Sequence, residues 1–178
     1  MRKVFFLLPL ILAGIYFNLG DTLYKLNDYS KAKNYYLQAI SIYQKLGRSA
    51  YLSLAHTYSD LGNALYRLEQ NIEAKDSYEK AMRTYEDISS PIFPYYQKSQ
   101  LSEVLESLAR THLNLVKVLA GLRYFAEAFR HCQRAKAILQ KLHPLHPLLQ
   151  DVQYSLRGLS EIIEEKSRNY TIYWIATS

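Results

Sequence analysis

Apolar and polar residues follow one another along this chain with a helical period. Tyr58, Leu61, Gly62 and Leu65 are spaced 3, 1 and 3 apart, which places them on one stripe of a helix with a glycine inside it. After a break at Asn71, Ala74, Tyr78 and Ala81 fall 4 and 3 apart. Small residues at two of these three places let a second helix approach closely, and the aromatic ring fills the space they leave. The two stripes predict one antiparallel helix pair.

The same seven places stand 42 residues earlier, as Tyr16, Leu19, Gly20 and Leu23, then Ala32, Tyr36 and Ala39. A third, weaker copy follows: His112, Leu115, Val116 and Leu119, then Ala128, Cys132 and Ala135. Ala74 and Ala128 are 54 apart, so 12 residues are inserted before the third copy. Val116 in the glycine's place predicts looser packing inside that pair.

These stripes resemble the tetratricopeptide repeat family, whose pattern is large-x2-L-G-x2-large followed by A-x3-aromatic. The 42-residue spacing resembles the extended repeats of kinesin light chains and related cargo adaptors. So does the stretch His143 to Val152, where a proline opens a new helix. The resemblance implies an all-α, right-handed solenoid of three antiparallel helix pairs with a C-terminal capping helix. The expected divisions are an apolar N-terminal segment (1–12), repeats at 13–46, 47–88 and 101–142, and an insertion at 89–100. A capping helix at 147–168 and an apolar tail at 169–178 complete the chain. Asn27 and Asp28 are expected to turn the chain, Ser30 to cap the second helix and Gly47 to stop it. Pro91 and Pro94 forbid a continuous helix through the insertion, whose Phe93, Tyr95 and Tyr96 are candidates for partner contact.

Two readings of the first residues stand. Arg2 and Lys3 before the apolar run Val4 to Phe17 have the form of a secretory signal or membrane anchor. The same run can start the first helix, with Pro9 near its beginning. The first reading puts a membrane in contact with residues 1–17 and the protein outside the cell or on a membrane. The second, which the repeat alignment favours, leaves it cytoplasmic.

In this family the first helices line a concave face, so the resemblance implies a set of groove residues. They are Phe17, Asn18, Asp21, Tyr24 and Lys25 in the first pair. The second pair gives His56, Ser59, Asp60, Asn63, Tyr66 and Arg67, and the third Arg110, Leu113, Asn114 and Lys117. Asn18, Asp60 and Asn114 share one place in successive pairs, as a ladder that could hydrogen-bond an extended peptide backbone. The clamp by which chaperone-binding members hold a terminal carboxylate is not matched: Asp21 and Asp60 stand where basic or amide groups are needed.

Charge narrows the partner. The formal net charge is +6, and residues 104–143 carry seven basic side chains against Glu106 and Glu127. Such a block is ordinarily a solvated face; as a binding surface it suits an acidic protein or peptide, or anionic membrane lipid. Nucleic acid is disfavoured, because no reading helix and no basic-aromatic groove is present.

Catalysis has little footing. No phosphate-binding glycine loop and no nucleophile elbow occurs in the sequence. His143 and His146 lie beside prolines, in a loop. His56 and Asp60 could pair on a helix, but no third ligand or nucleophile accompanies them. Cys132 falls on a core stripe, excludes an internal disulfide and offers no metal cluster. The sequence therefore implies no enzyme, no metal and no cofactor. It implies a binding scaffold or adaptor, with a membrane-anchored assembly factor and a peptide-sensing regulator as alternatives.

Overall fold

A computed structural model describes the backbone of residues 2–90 and 98–177 and the side chains of residues 7–90 and 100–169. The described residues form seven α-helices: α1 (Arg2–Lys25), α2 (Tyr29–Leu46), α3 (Tyr51–Arg67), α4 (Asn71–Ser89), α5 (Lys98–Gly121), α6 (Phe125–Leu142) and α7 (Leu148–Thr177). A short 3-10 turn, Gly47–Ala50, joins α2 to α3. No strand occurs among the described residues. Each helix packs on the next in the chain, which gives three antiparallel pairs and a seventh helix on the end.

The stripes of the second helices are buried in all three pairs, whereas Leu19 of the first-pair stripe is exposed. Ala32, Tyr36 and Ala39 are buried in α2; Ala74, Tyr78 and Ala81 in α4; Ala128, Cys132 and Ala135 in α6. The glycine stripes explain the spacing between helices. A Cβ placed on Gly20 would lie 2.6 Å from the ring of Tyr36, and one on Gly62 would lie 2.7 Å from the ring of Tyr78. The bare backbone of one helix is thus the floor on which the tyrosine of the next one lies.

The turns inside the pairs share one backbone form. Asn27, Glu69 and Arg123 occupy the same place in the three pairs, and all have left-handed backbones, with φ of 62°, 61° and 63°. Around them the amides of Asp28, Gln70 and Tyr124 return to the carbonyls of Leu23, Leu65 and Leu119 at 2.8–2.9 Å. This closes the end of each first helix by satisfying carbonyls the helix leaves unpaired. Gly47, with φ 66°, ends α2 as expected.

Several expectations are corrected. Asp28, not Ser30, caps α2: its carboxylate accepts from the Lys31 amide at 3.2 Å. Asn71 is the first residue of α4, and the break before it is made by Glu69. Pro9 lies inside α1, because the helix-compatible apolar residues before it already form helical turns. Helix α7 continues through the tail to Thr177, since neither glycine nor proline follows Gly158 to stop it. Of the insertion, residues 91–97, with Pro91, Phe93, Pro94, Tyr95 and Tyr96, lie outside the described residues.

The stack curves. Helix α1 touches α3 and α3 touches α5, whereas α2 with α4, and α4 with α6, have no contact of that extent. The first helices of the pairs are closer together than the second ones, so their side is the inner side of the bend.

Candidate functional site

The inner side is built from the turns of α1, α3 and α5 that face neither their own partner helix nor the preceding one. Its centre is Asn63. The Tyr78 hydroxyl donates to the Asn63 carbonyl oxygen at 2.7 Å, and the Asn114 amide donates to the same oxygen at 3.1 Å. The Asn63 amide in turn donates to the Asp60 carboxylate at 3.2 Å. Both lone pairs of the Asn63 carbonyl are therefore engaged, and one side chain ties α3 to α4 and α5. Asp21 holds the equivalent place in the first pair and accepts from the Tyr36 hydroxyl at 2.8 Å. In the third pair the corresponding residues are Lys117 and Cys132, and that bond is replaced by an exposed cation.

Asp60 is the electrostatically unusual group. Burial pushes its carboxyl up to about 7, the negative charge of Asp21 adds to the effect, and the bond from Asn63 opposes it. Partial burial removes water that would otherwise solvate the anion, and a like charge disfavours it further. The anion of Asp60 is therefore disfavoured in this setting, and an approaching cation would favour it.

The other expected groove residues divide into two groups. Asn18, Arg67, Arg110 and Lys117 are exposed on the inner side. Arg67 stacks its guanidinium over the Tyr29 ring at 4.7 Å, and Arg110 is paired to Glu106 at 2.7 Å. Phe17, Tyr24 and His56 are drawn into packing. Phe17 lies against Tyr36 and Tyr24 against Tyr29, with ring centroids 6.1 and 5.2 Å apart. Tyr24 is raised above the usual phenol range by burial, against the opposing charge of Arg67. The His56 ring rests on Tyr85 at 5.6 Å and its Nε2 faces the Ser107 hydroxyl at 3.4 Å. Burial lowers its pKa, with Glu103 opposing. These contacts hold His56 against α4 and α5, and the pairing with Asp60 that their four-residue spacing allows is not among them.

A cleft of about 270 Å³ opens at the α5 end of this face. Arg110, Leu113, Asn114, Val116 and Lys117 line it from α5, and Leu148, Asp151 and Ser155 from α7. The contribution of α7 was not expected from the sequence. Its signal was the stripe Val152, Leu156, Leu159, which seats the helix on α6 and leaves Asp151 and Ser155 turned toward α5. Among the described residues no group of three or more His, Cys, Asp or Glu side chains converges as a metal site would.

Comparison with known proteins agrees with this architecture. Residues 11–87 match the tetratricopeptide repeat family model. The crystal structure of the apo form of RapI superposes with a TM-score of 0.67 at 18% identity, over 92% of this chain and 52% of RapI. BtubC (BKLC) from P. vanneervenii gives a TM-score of 0.70 at 19% identity, over 86% of this chain and 57% of BtubC. The chain thus spans just over half the length of each, and at such identities the likeness is one of fold. No curated protein sequence matches the chain. Residues 11–87 therefore match tetratricopeptide repeats, and with a third helix pair stacked on them in the same manner the chain has the fold of a tetratricopeptide repeat solenoid.

Proposed function

We propose that the protein is an interaction scaffold that holds a segment of another protein along the inner side of α1, α3 and α5. The observation that carries this reading is the connected polar row on that side. Asn114, Asn63 and Asp60, from two successive first helices, are joined by hydrogen bonds before any partner arrives. A row already ordered by the fold loses little entropy on binding. Exposed Asn18 and the remaining amide hydrogen of Asn114 can bond a peptide backbone with little demand on its sequence.

Charge gives the segment a direction. Asp21 and Asp60 suit a basic side chain near α1 and α3. The cleft at α5 and α7 offers apolar walls in Leu113, Val116 and Leu148. Lys117 and Arg110 at its rim suit an acidic neighbour. The Arg110–Glu106 pair is exposed, so exchanging Glu106 for a partner carboxylate costs little.

The test is selection of a displayed library of random linear peptides on the protein. A shared motif with basic, apolar and acidic positions in that order is expected. It should be lost on an Asn18→Ala, Asn114→Ala variant. Equal capture by that variant would remove the inner side as the site.

A further inference from the structure

We propose that the cavity between the start of α6 and the far part of α7 is a second binding site, which takes a phosphorylated side chain of a partner protein.

The stripe that seats α7 also builds this cavity. Cys132 Sγ lies 3.5 Å from the Val152 carbonyl oxygen, and Lys166 Nζ lies 4.5 Å from the centre of the Phe125 ring. Helices α6 and α7 therefore run antiparallel, with the far part of α7 beside the start of α6. Val152, Leu156, Leu159, Ile163 and Lys166 continue one stripe by 4, 3, 4 and 3. Val152 and Leu159 are buried, Ile163 is half-buried, and at Lys166 the stripe turns from apolar to charged. The helices leave an open cavity of about 450 Å³ there. Arg123, Phe125 and Arg130 line it from the turn and α6, and Ile163 and Lys166 from α7.

The repeat shows that the fold does not require these cations. Arg123 shares its place with Asn27 and Glu69, and Arg130 with Asn34 and Asp76. The same two places are thus amide in the first pair, acidic in the second and basic in the third. A helix pair forms with each of them, so packing demands a cation at neither. Among the described residues neither arginine is paired with a carboxylate. Glu127, which also borders the cavity, is held from the other side by Lys75 at 3.3 Å.

Charge complementarity then selects the occupant. A recess lined by cations of one sign concentrates positive potential and draws in an anion. A single carboxylate would answer only one of the three charges. A phosphomonoester carries about −1.5 to −2 charge at pH 7 and three acceptor oxygens, and guanidinium groups grip it through paired hydrogen bonds. Phe125 and Ile163 supply an apolar wall for the side chain that bears the phosphate. A nucleic acid strand fits less well, since it needs cations spread along a track with stacking rings between them. None of these residues belongs to the inner row, so the site stands or falls apart from the groove.

The experiment probes the full chain on an array of random-sequence peptides, each with one phosphoserine or phosphotyrosine, beside the same array treated with phosphatase. Capture by the phosphorylated peptides alone is expected. Arg123→Asn with Arg130→Asn installs the residues of the first pair, one of which already holds the left-handed turn. This variant should weaken capture at least about tenfold, with unchanged helical circular dichroism. Arg134→Gln with Lys141→Gln removes as much charge from exposed places of α6 outside the cavity, and should leave capture nearly unchanged. An array without capture would overturn the proposal. So would capture that survives phosphatase or glutamate in place of the phosphorylated residue. Equal loss in the two charge variants would overturn it as well and make this a solvated cationic face. Loss on Asn18→Ala with Asn114→Ala would instead move the phosphopeptide to the groove. Sedimentation with phosphatidic acid vesicles, without phosphopeptide capture, would give the cavity to a membrane and also overturn it.

Discussion

Gly62 and Tyr78 form one interlocking contact: a Cβ on Gly62 would lie 2.7 Å from the tyrosine ring, whose hydroxyl reaches over to Asn63 at 2.7 Å. The third pair inverts it. Val116 takes the glycine's place and Cys132 the tyrosine's, and both are buried. At these two places bulk has moved from the second helix to the first.

This inversion makes a prediction about coupling. Gly62→Val alone should cost roughly 1–3 kcal/mol by overpacking. Tyr78→Cys alone should be similarly harmful through lost volume. Combined, they rebuild the arrangement of the third pair. The double variant should therefore be less destabilised than the sum of the singles, by about 0.5–3 kcal/mol. Urea unfolding of all four proteins measures it. Strict additivity would mean that the two places are not equivalent to Val116 and Cys132.

The turns give a second prediction. Glu69 and Arg123 hold left-handed backbones that cost an L-residue roughly 1–2 kcal/mol, and glycine adopts them without that cost. Part of the gain is offset by glycine's greater freedom in the unfolded chain. Glu69→Gly and Arg123→Gly should each stabilise by about 0.5–1 kcal/mol, read as a raised melting temperature. A lowered one would show that side-chain contacts outweigh the backbone strain.

Side-chain spacing reveals faces, and this decides what could be read before the structure. The stripes through Tyr58 and Tyr78, and their copies, gave the pairing of helices correctly, because burial in a solenoid repeats with the chain. The same spacing carries no backbone angle. Asn27, Glu69 and Arg123 have nothing chemical in common, and only their shared offset marks them as one turn. Nor does spacing show how a polar residue on an exposed-looking face is used. Asn63 read as a groove ligand, yet its carbonyl is taken by Tyr78 and Asn114 from two other helices. Bonds between residues 15 and 51 apart in the chain have no local signature.

A third prediction concerns pH. His112 and His131 face each other through their Nδ1 atoms at 2.9 Å, so one donates and the other must be unprotonated. Burial, then the charges of His131 and Arg134, lowers His112 to about 3. His131 is also lowered by burial and by Arg134, with Glu127 and Glu79 opposing. The unfolded histidines take protons near 6.5, so below that pH the unfolded state binds more of them. Stability from this pair is complete above about pH 6.5 and is lost as pH falls toward 3. The first pair carries Tyr16 and Tyr35 at the same two places, with ring centroids 6.1 Å apart. Replacing both histidines by tyrosine should therefore flatten the fall in urea midpoint between pH 7 and 4. An unchanged slope would assign acid sensitivity to other groups.

The last prediction separates holding the fold from holding a partner. Asn63→Ala removes the acceptor of the Tyr78 hydroxyl inside a buried contact, and should destabilise by about 1–3 kcal/mol through that unsatisfied group. Exposed Asn18 has no such duty, and Asn114 gives only one donor to Asn63. Asn18→Ala with Asn114→Ala should lower stability much less and weaken a captured peptide. Each amide bond to its backbone is worth about 0.5–1.5 kcal/mol, so the pair should cost roughly 5- to 150-fold in affinity. Reversing Arg130, Arg134 and Lys141 provides the contrast, since all three are exposed on α6, away from the inner row. That variant should leave the affinity for a groove peptide nearly unchanged and alter only the salt dependence of association. Titration of both variants at two salt concentrations decides between the faces. Intact affinity in the asparagine variant with loss in the charge variant would move the binding site to the outer helices.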